Sequence, residues 1–138
     1  MTDKELRATD LMIGDWVNVT LEGETFKGRV TSIDGDTEEI KVSLYTAPLG
    51  WEDGDDFDEI EPIPLTAEIL EKNGWKCNNT YQSYSCDYAS FELRLERNFY
   101  IVEVEGYEEG YGAFTSIEYL HELQHLLKLC GISKNIVL

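Results

Sequence analysis

Runs of alternating apolar and polar side chains begin and end the stretch from Asp15 to Tyr45, and this two-residue period constrains the fold more than any other feature. Glu39-Ile-Lys-Val-Ser-Leu-Tyr45 places Ile40, Val42 and Leu44 on one face of an extended strand. Asp15-Trp-Val-Asn-Val-Thr20 alternates from Trp16 on, and Phe26 to Ile33 forms a further run. Turn signals separate them: Leu21-Glu-Gly-Glu24, then Asp34-Gly-Asp36, where Asp-Gly tolerates positive φ and predicts a tight hairpin. A loop from Thr46 to Asp56 follows, and Phe57 to Glu61 reads as one more short strand. So few short strands bury little as a flat sheet. Closure would cover one face and remove the edges, so residues 1–61 are expected to form a small β-barrel-like lobe.

Pro62-Ile-Pro-Leu-Thr66 breaks this pattern. Thr66 is a suitable N-cap, Leu65 and Leu70 stand at staple positions, and Asn73-Gly74 is a stop signal, which predicts a helix over 67–72. Short strands are expected around 75–77 and 80–85. Alternating runs at Phe91–Glu96 and Tyr100–Glu105 flank an Arg97-Asn98 hairpin turn, and Gly106 to Gly112 reads as a Gly- and Tyr-rich loop. Thr115 and Glu118 are spaced as a capping box, with Phe114 and Tyr119 as its staple. The helix they would open carries Leu120, Leu123, Leu127 and Cys130 on one stripe and ends at Gly131. Ile132 to Leu138 could add a short strand. The fold class expected is α+β: the N-terminal lobe, then helix, antiparallel sheet and C-terminal helix over 62–138. Both lobes are near the lower size limit for independent stability, so they are expected to share a core.

The chain has 138 residues with 28 Asp plus Glu against 11 Lys plus Arg, a formal charge of -17. A disordered acidic tail would lack the Trp, Tyr and Phe content seen here, 12% of the chain. Direct nucleic-acid binding calls for basic residues to neutralise phosphate, so it is not expected. No run of about 20 apolar residues occurs, so no membrane span is expected. Cys77, Cys86 and Cys130 are odd in number and form no C-x-x-C pair, and Met1 to Arg7 has no apolar signal region. A reduced, cytoplasmic chain is the expectation. The spacing of Cys77 and Cys86 still leaves a disulfide between them open.

Three segments carry a resemblance: Asp10-Leu-Met-Ile-Gly-Asp-Trp-Val17, Ile60-Glu-Pro-Ile-Pro-Leu-Thr-Ala-Glu-Ile-Leu-Glu-Lys-Asn-Gly-Trp75 and Tyr119-Leu-His-Glu-Leu-Gln-His-Leu-Leu-Lys-Leu-Cys-Gly131. Together they resemble a family of short, acidic, uncharacterised proteins of gut Bacteroidales and their phages or mobile elements. The resemblance spans most of the chain and implies a setting. It implies no activity.

His121-Glu-Leu-Gln-His125 is the sharpest chemical string. On a helix, His-Glu-x-x-His sets two imidazoles one turn apart to grip zinc, with the Glu activating bound water. The residues after His125 hold no Asp, Glu or His and only Cys130, so the usual downstream third ligand is missing. With the leucine stripe as the inner face, His121 and His125 lie roughly 130–170° from it, which predicts a polar, outward face. A zinc-dependent hydrolase on His121, Glu122 and His125 is the alternative reading.

The acidic run Trp51-Glu-Asp-Gly-Asp-Asp-Phe-Asp-Glu59 is the second candidate. Its carboxylates could hold calcium, but the spacing departs from an EF-hand loop. Aromatics set among acids suit a protein contact, so Trp51, Asp53, Asp55, Asp56, Phe57 and Asp58 are the candidate partner-binding residues. Gly14-Asp-Trp-Val17, Gly28-Arg-Val30, Ile33-Asp-Gly35 and Ile40-Lys-Val42 resemble small barrels of the Src-homology, Tudor and ribosomal-protein type, which bind peptides or nucleic acids. No nucleophile elbow, phosphate loop or dinucleotide fingerprint occurs, and no motif calls for a cofactor. The function expected is a non-enzymatic, acidic protein-interaction module whose partner has a basic surface. Imitation of nucleic-acid charge is one use of such a surface.

Overall fold

The computed structural model describes residues 6–80, 82–106 and 110–138, with side chains for all of these except 105–106 and 110–114. Among them are two antiparallel sheets, two α-helices and a single 3-10 turn at Ala8–Asp10, an α+β fold that is mostly β. The chain divides into two compact units, Met1–Ile63 and Pro64–Leu138.

The first unit holds β1 (Trp16–Leu21), β2 (Glu24–Asp34), β3 (Glu39–Leu44) and β4 (Glu59–Pro62), in the order β3-β2-β1-β4. The β1–β2 turn is a two-residue loop at Glu22 (φ 49°) and Gly23 (φ 82°), the doubly positive geometry whose twist matches the strands. The β2–β3 turn differs from the expected tight Asp-Gly turn. Its positive φ is at Glu38 (59°), and the Asp34 carboxylate accepts from the backbone N–H of Asp36 (3.0 Å) and Thr37 (3.2 Å). Those bonds, Thr37 first, hold the Asp34 carboxyl below its ordinary pKa.

The inward face carries Val17, Val19, Val30, Val42 and Leu44, joined by Leu6 and Leu11. Gly28 sits in that face because a Cβ there would stand 3.1 Å from Leu44 Cδ2 and 3.3 Å from Ser43 O. On the other face the Arg29 guanidinium lies 4.9 Å from the centre of the Trp16 ring, which meets Tyr45 edge-on.

The sheet does not close into the barrel expected from the sequence. β3 and β4 are its two edges. β4 pairs with β1, from Val17↔Pro62 to Thr20↔Glu59. The acidic loop runs beside β3 instead: Gly54 N–H donates to Val42 O (3.2 Å), Lys41 Nζ to Gly54 O (3.1 Å) and Ser43 Oγ to Asp53 (3.0 Å). A covered edge removes the need for closure.

The second unit holds α1 (Ala67–Lys72), β5 (Lys76–Asn78), β6 (Ser83–Ser85), β7 (Phe91–Glu96), β8 (Phe99–Gly106), β9 (Gly110–Ile117) and α2 (Leu120–Leu129), with strand order β5-β6-β7-β8-β9. α1 follows its signals. Thr66 Oγ1 accepts from Ile69 N–H (3.3 Å), Gly74 has φ +90°, and Trp75 N–H donates to Leu70 O (3.0 Å). Trp75 is fully buried against Phe91, with ring centroids 5.7 Å apart, and meets Tyr88 edge-on at 5.9 Å.

Three expectations for the C-terminal half are corrected. Gly110 to Gly112 belong to β9, paired with β8 as far as Gly106↔Gly110; residues 107–109 of the expected loop lie outside the described residues. The strand runs on through Thr115, opposite Val102, to Ile117, so α2 starts later than the Thr115–Glu118 box predicted. Ladder hydrogen bonds to β8 hold Thr115 extended, where a cap would need it beside free N–H groups. The Phe114 side chain of the expected staple lies outside the described residues. Residues 132–138 form no strand. They are held by Asn73, whose Oδ1 accepts from Val137 N–H (2.8 Å) while Nδ2 donates to Val137 O (2.8 Å) and Ile69 O (2.8 Å).

Cys77, Cys86 and Cys130 are free thiols. The register places Cys77 opposite Tyr84, with Lys76 opposite Ser85, which leaves Cys86 beyond the end of the ladder. Cys130, expected on the inner stripe of α2, is exposed, because the helix ends there.

Asn73→Ala leaves the Val137 backbone groups without partners, and urea unfolding should show a loss of about 2–3 kcal/mol. Tyr84 is pushed up to about 12, by burial first and then by the Cys77 thiol. The fold favours its neutral form, so this contribution to stability is complete below pH about 10 and is lost as pH rises towards 12. Burial raises Tyr88 and Tyr100 as well, so alkaline titration followed at the tyrosinate band should show a late group of tyrosines ionising together with unfolding, and Tyr84→Phe should shrink that step by one tyrosine.

Candidate functional site

A groove of about 360 Å³ opens in the first unit between the β1–β2 hairpin and the β3–β4 loop. The hairpin supplies Leu21, Glu22, Glu24 and Phe26, and the loop supplies Pro48, Leu49, Gly50, Trp51, Asp56 and Asp58. Two successive turns shape the loop. Trp51 N–H donates to Pro48 O (3.1 Å), with Gly50 at φ +87° in the third position, where a type II turn needs positive φ. Asp55 N–H donates to Glu52 O (3.0 Å), with Gly54 at φ +92°, and the Asp55 carboxylate accepts from Glu52 N–H (2.8 Å). The first turn turns Leu49 fully out to solvent and Trp51 inward, where Trp51 packs on the valine core.

Asp58 joins the two walls. Its N–H donates to Thr20 O (3.0 Å), and its carboxylate accepts from the N–H of Glu22 (2.8 Å). That bond holds Glu22 in the left-handed conformation that a non-glycine residue adopts at a cost. The groove therefore has an apolar floor of Leu21, Phe26 and Trp51 and an acidic rim of Glu22, Glu24, Asp56 and Asp58. None of its lining residues is basic. The nearby Lys41 ammonium is bonded to Glu39 (2.8 Å), which raises its pKa, with Asp56 and Asp55 adding to the effect.

The six partner-binding candidates separate in this arrangement. Trp51, Asp56 and Asp58 line the groove. Phe57 packs on the core. Asp53 and Asp55 shape the loop through Ser43 and Glu52. The hairpin wall, Leu21 to Phe26, has no motif to mark it. The one available signal is that its Glu-Gly turn carries Glu22 and is followed by Glu24.

The His-Glu-x-x-His helix contradicts its expected polar, outward face at His121. That side chain is 2% exposed, while His125 is half-buried. Leu120, His121, Leu123, Gln124, Leu126 and Leu127 are all buried, an arc of about 220° at 100° per residue, much wider than the leucine stripe. Tyr119, held extended before the helix and bridged to Pro64, stacks on the His121 ring with centroids 6.0 Å apart. The rings of His121 and His125 stand edge-to-face at 5.4 Å.

Glu122, the residue a zinc hydrolase would need as its base, is occupied as a cap. Its Oε1 accepts from the N–H of Glu118 (3.0 Å) and of Tyr119 (3.0 Å). Among the described residues no three His, Cys, Asp or Glu side chains gather as a metal site, on this helix or in the acidic loop. No described helix is long and apolar enough to cross a membrane.

No protein-family model, curated protein or solved structure matches this chain.

Because Glu122 caps α2, Glu122→Ala should lower stability by about 1 kcal/mol, and Glu122→Gln, which keeps an acceptor, should cost clearly less. Thermal unfolding of the two variants checks this.

Proposed function

We propose that the chain is a non-enzymatic, acidic interaction module that binds a protein with a basic surface in the cytoplasm, in the phage or mobile-element setting that its resemblance implies. The observation that carries this reading is the placing of charge. Residues 1–63 hold 17 of the 28 acidic side chains and 5 of the 11 basic ones, so -12 of the net -17 resides in the smaller unit. Such a field draws a cationic partner in and repels phosphate. A protein that ordinarily docks nucleic acid offers a surface of the matching kind. The capping role of Glu122 also supports a binding rather than a hydrolytic role.

Immobilised protein, challenged with a Bacteroidales lysate at about 0.05 M salt, should retain a small set of basic proteins. They should be released as screening shortens the reach of the field towards about 0.5 M. Retention of nothing at low salt, or of proteins indifferent to salt, would count against the module.

A further inference from the structure

Building on the acidic-module reading, we infer that the groove between the β1–β2 hairpin and the β3–β4 loop takes an extended lysine- or arginine-bearing segment of the partner. Its cationic head lies among Glu22, Glu24 and Asp56, and its aliphatic stem lies against Phe26 and Trp51. The first support is the lining, which combines an aromatic floor with carboxylates and contains no basic residue. Lysine and arginine are the side chains that fit both parts, since their stems lie on apolar surface while their heads stay with charge and water. An aromatic ring at the floor adds attraction for the cation itself.

The other occupants fail on the same observations. An anion meets a rim of carboxylates. A wholly apolar ligand would strip those carboxylates of water with no return. A second copy of this chain brings its own charge of -17. A bare metal ion finds no gathered ligands among the described residues. Size favours a short segment, because a cavity of about 360 Å³ holds a few side chains. Leu49 favours a peptide over a free amine. It stands fully exposed on the lip, where the residue next to the bound cation would cover it.

The test uses the full chain and a labelled hexapeptide, Lys-Ala-Lys-Leu-Lys-Ala, with both ends blocked and a Glu-for-Lys peptide as control. Binding is read by fluorescence anisotropy at low salt, and the site is located by backbone amide shifts. The lysine peptide should bind, the glutamate peptide should not, and the shifts should fall on residues 21–26 and 48–58. Glu24→Gln and Asp56→Asn should each weaken binding about threefold to fivefold, in line with single exposed ion pairs. Leu49→Ala, which touches no core contact, should weaken it about twofold to threefold. Asp36→Asn and Glu68→Gln, exposed acids away from the groove, should leave it unchanged.

If all five variants lose affinity alike and the shifts scatter over the surface, the groove assignment is overturned while the basic-partner reading stands. If the peptide does not bind at low salt and the lysate capture is also empty, both are overturned. Peptide failure with successful capture of basic proteins overturns the groove alone.

Discussion

The fold of the first unit depends on how one loop covers a sheet that, among the described residues, has no α-helix packed on it, only the short 3-10 turn Ala8–Asp10. Val17, Val19, Val30, Val42 and Leu44 make an apolar face on four strands, and leaving that face in water would forfeit most of what holds the unit together. The β3–β4 loop brings Trp51 and Phe57 onto it, and Leu6 and Leu11 come from the N-terminal side. To stay there, a loop with no ladder of its own needs anchors. Gly54 supplies one through its N–H to Val42, Asp53 another through Ser43, and Asp58 ties the end of the loop to both β1 and the hairpin turn. The groove follows from this arrangement: it is the space left where a covering loop and a hairpin tip meet without closing.

The carboxylates of this region therefore have more than one physical role. Asp34, Asp55 and Asp58 accept hydrogen bonds from backbone N–H groups at turns, which such groups cannot obtain from the sheet. Asp56 and Glu24 have no such bond among those described and present their charge at the groove. An acidic composition built for solubility alone would not require carboxylates at particular turn positions. A unit that fixes its loop with Asp and leaves other acids outward obtains a rigid wall with a strong negative field, the combination a cation-binding surface needs.

In the second unit buried polar side chains do comparable work. Asn73, 3% exposed, satisfies three backbone groups and holds the C-terminal segment by both polar groups of Val137. Tyr88 OH donates to Asn73 O at 2.8 Å, so the residue that ends α1 is fixed from both sides. Glu122 closes the start of α2 in the same manner. These groups are costly to bury unless they are bonded, and each bond made here reaches across tens of residues or across a helix end.

Local patterns predicted much of this protein. The alternation at Glu39–Tyr45, the hairpin at Arg97-Asn98 and the Thr66 cap with its Gly74 stop each depend on residues within a few positions, and each is present in the structure. Acidity and the Trp51 run were equally legible as composition. Tertiary contacts alone decided the features that join distant residues. The open sheet depends on which edge a loop happens to cover. The start of α2 depends on whether β8 or the helix claims Thr115, and the ladder claims it. His121 is buried with its ring stacked on Tyr119, which is bridged to Pro64 more than fifty residues earlier. The groove joins a hairpin tip to a loop more than twenty residues later through Asp58. Periodicity reports one face of one element, whereas burial is set by everything packed around it, and only the folded chain brings those partners together.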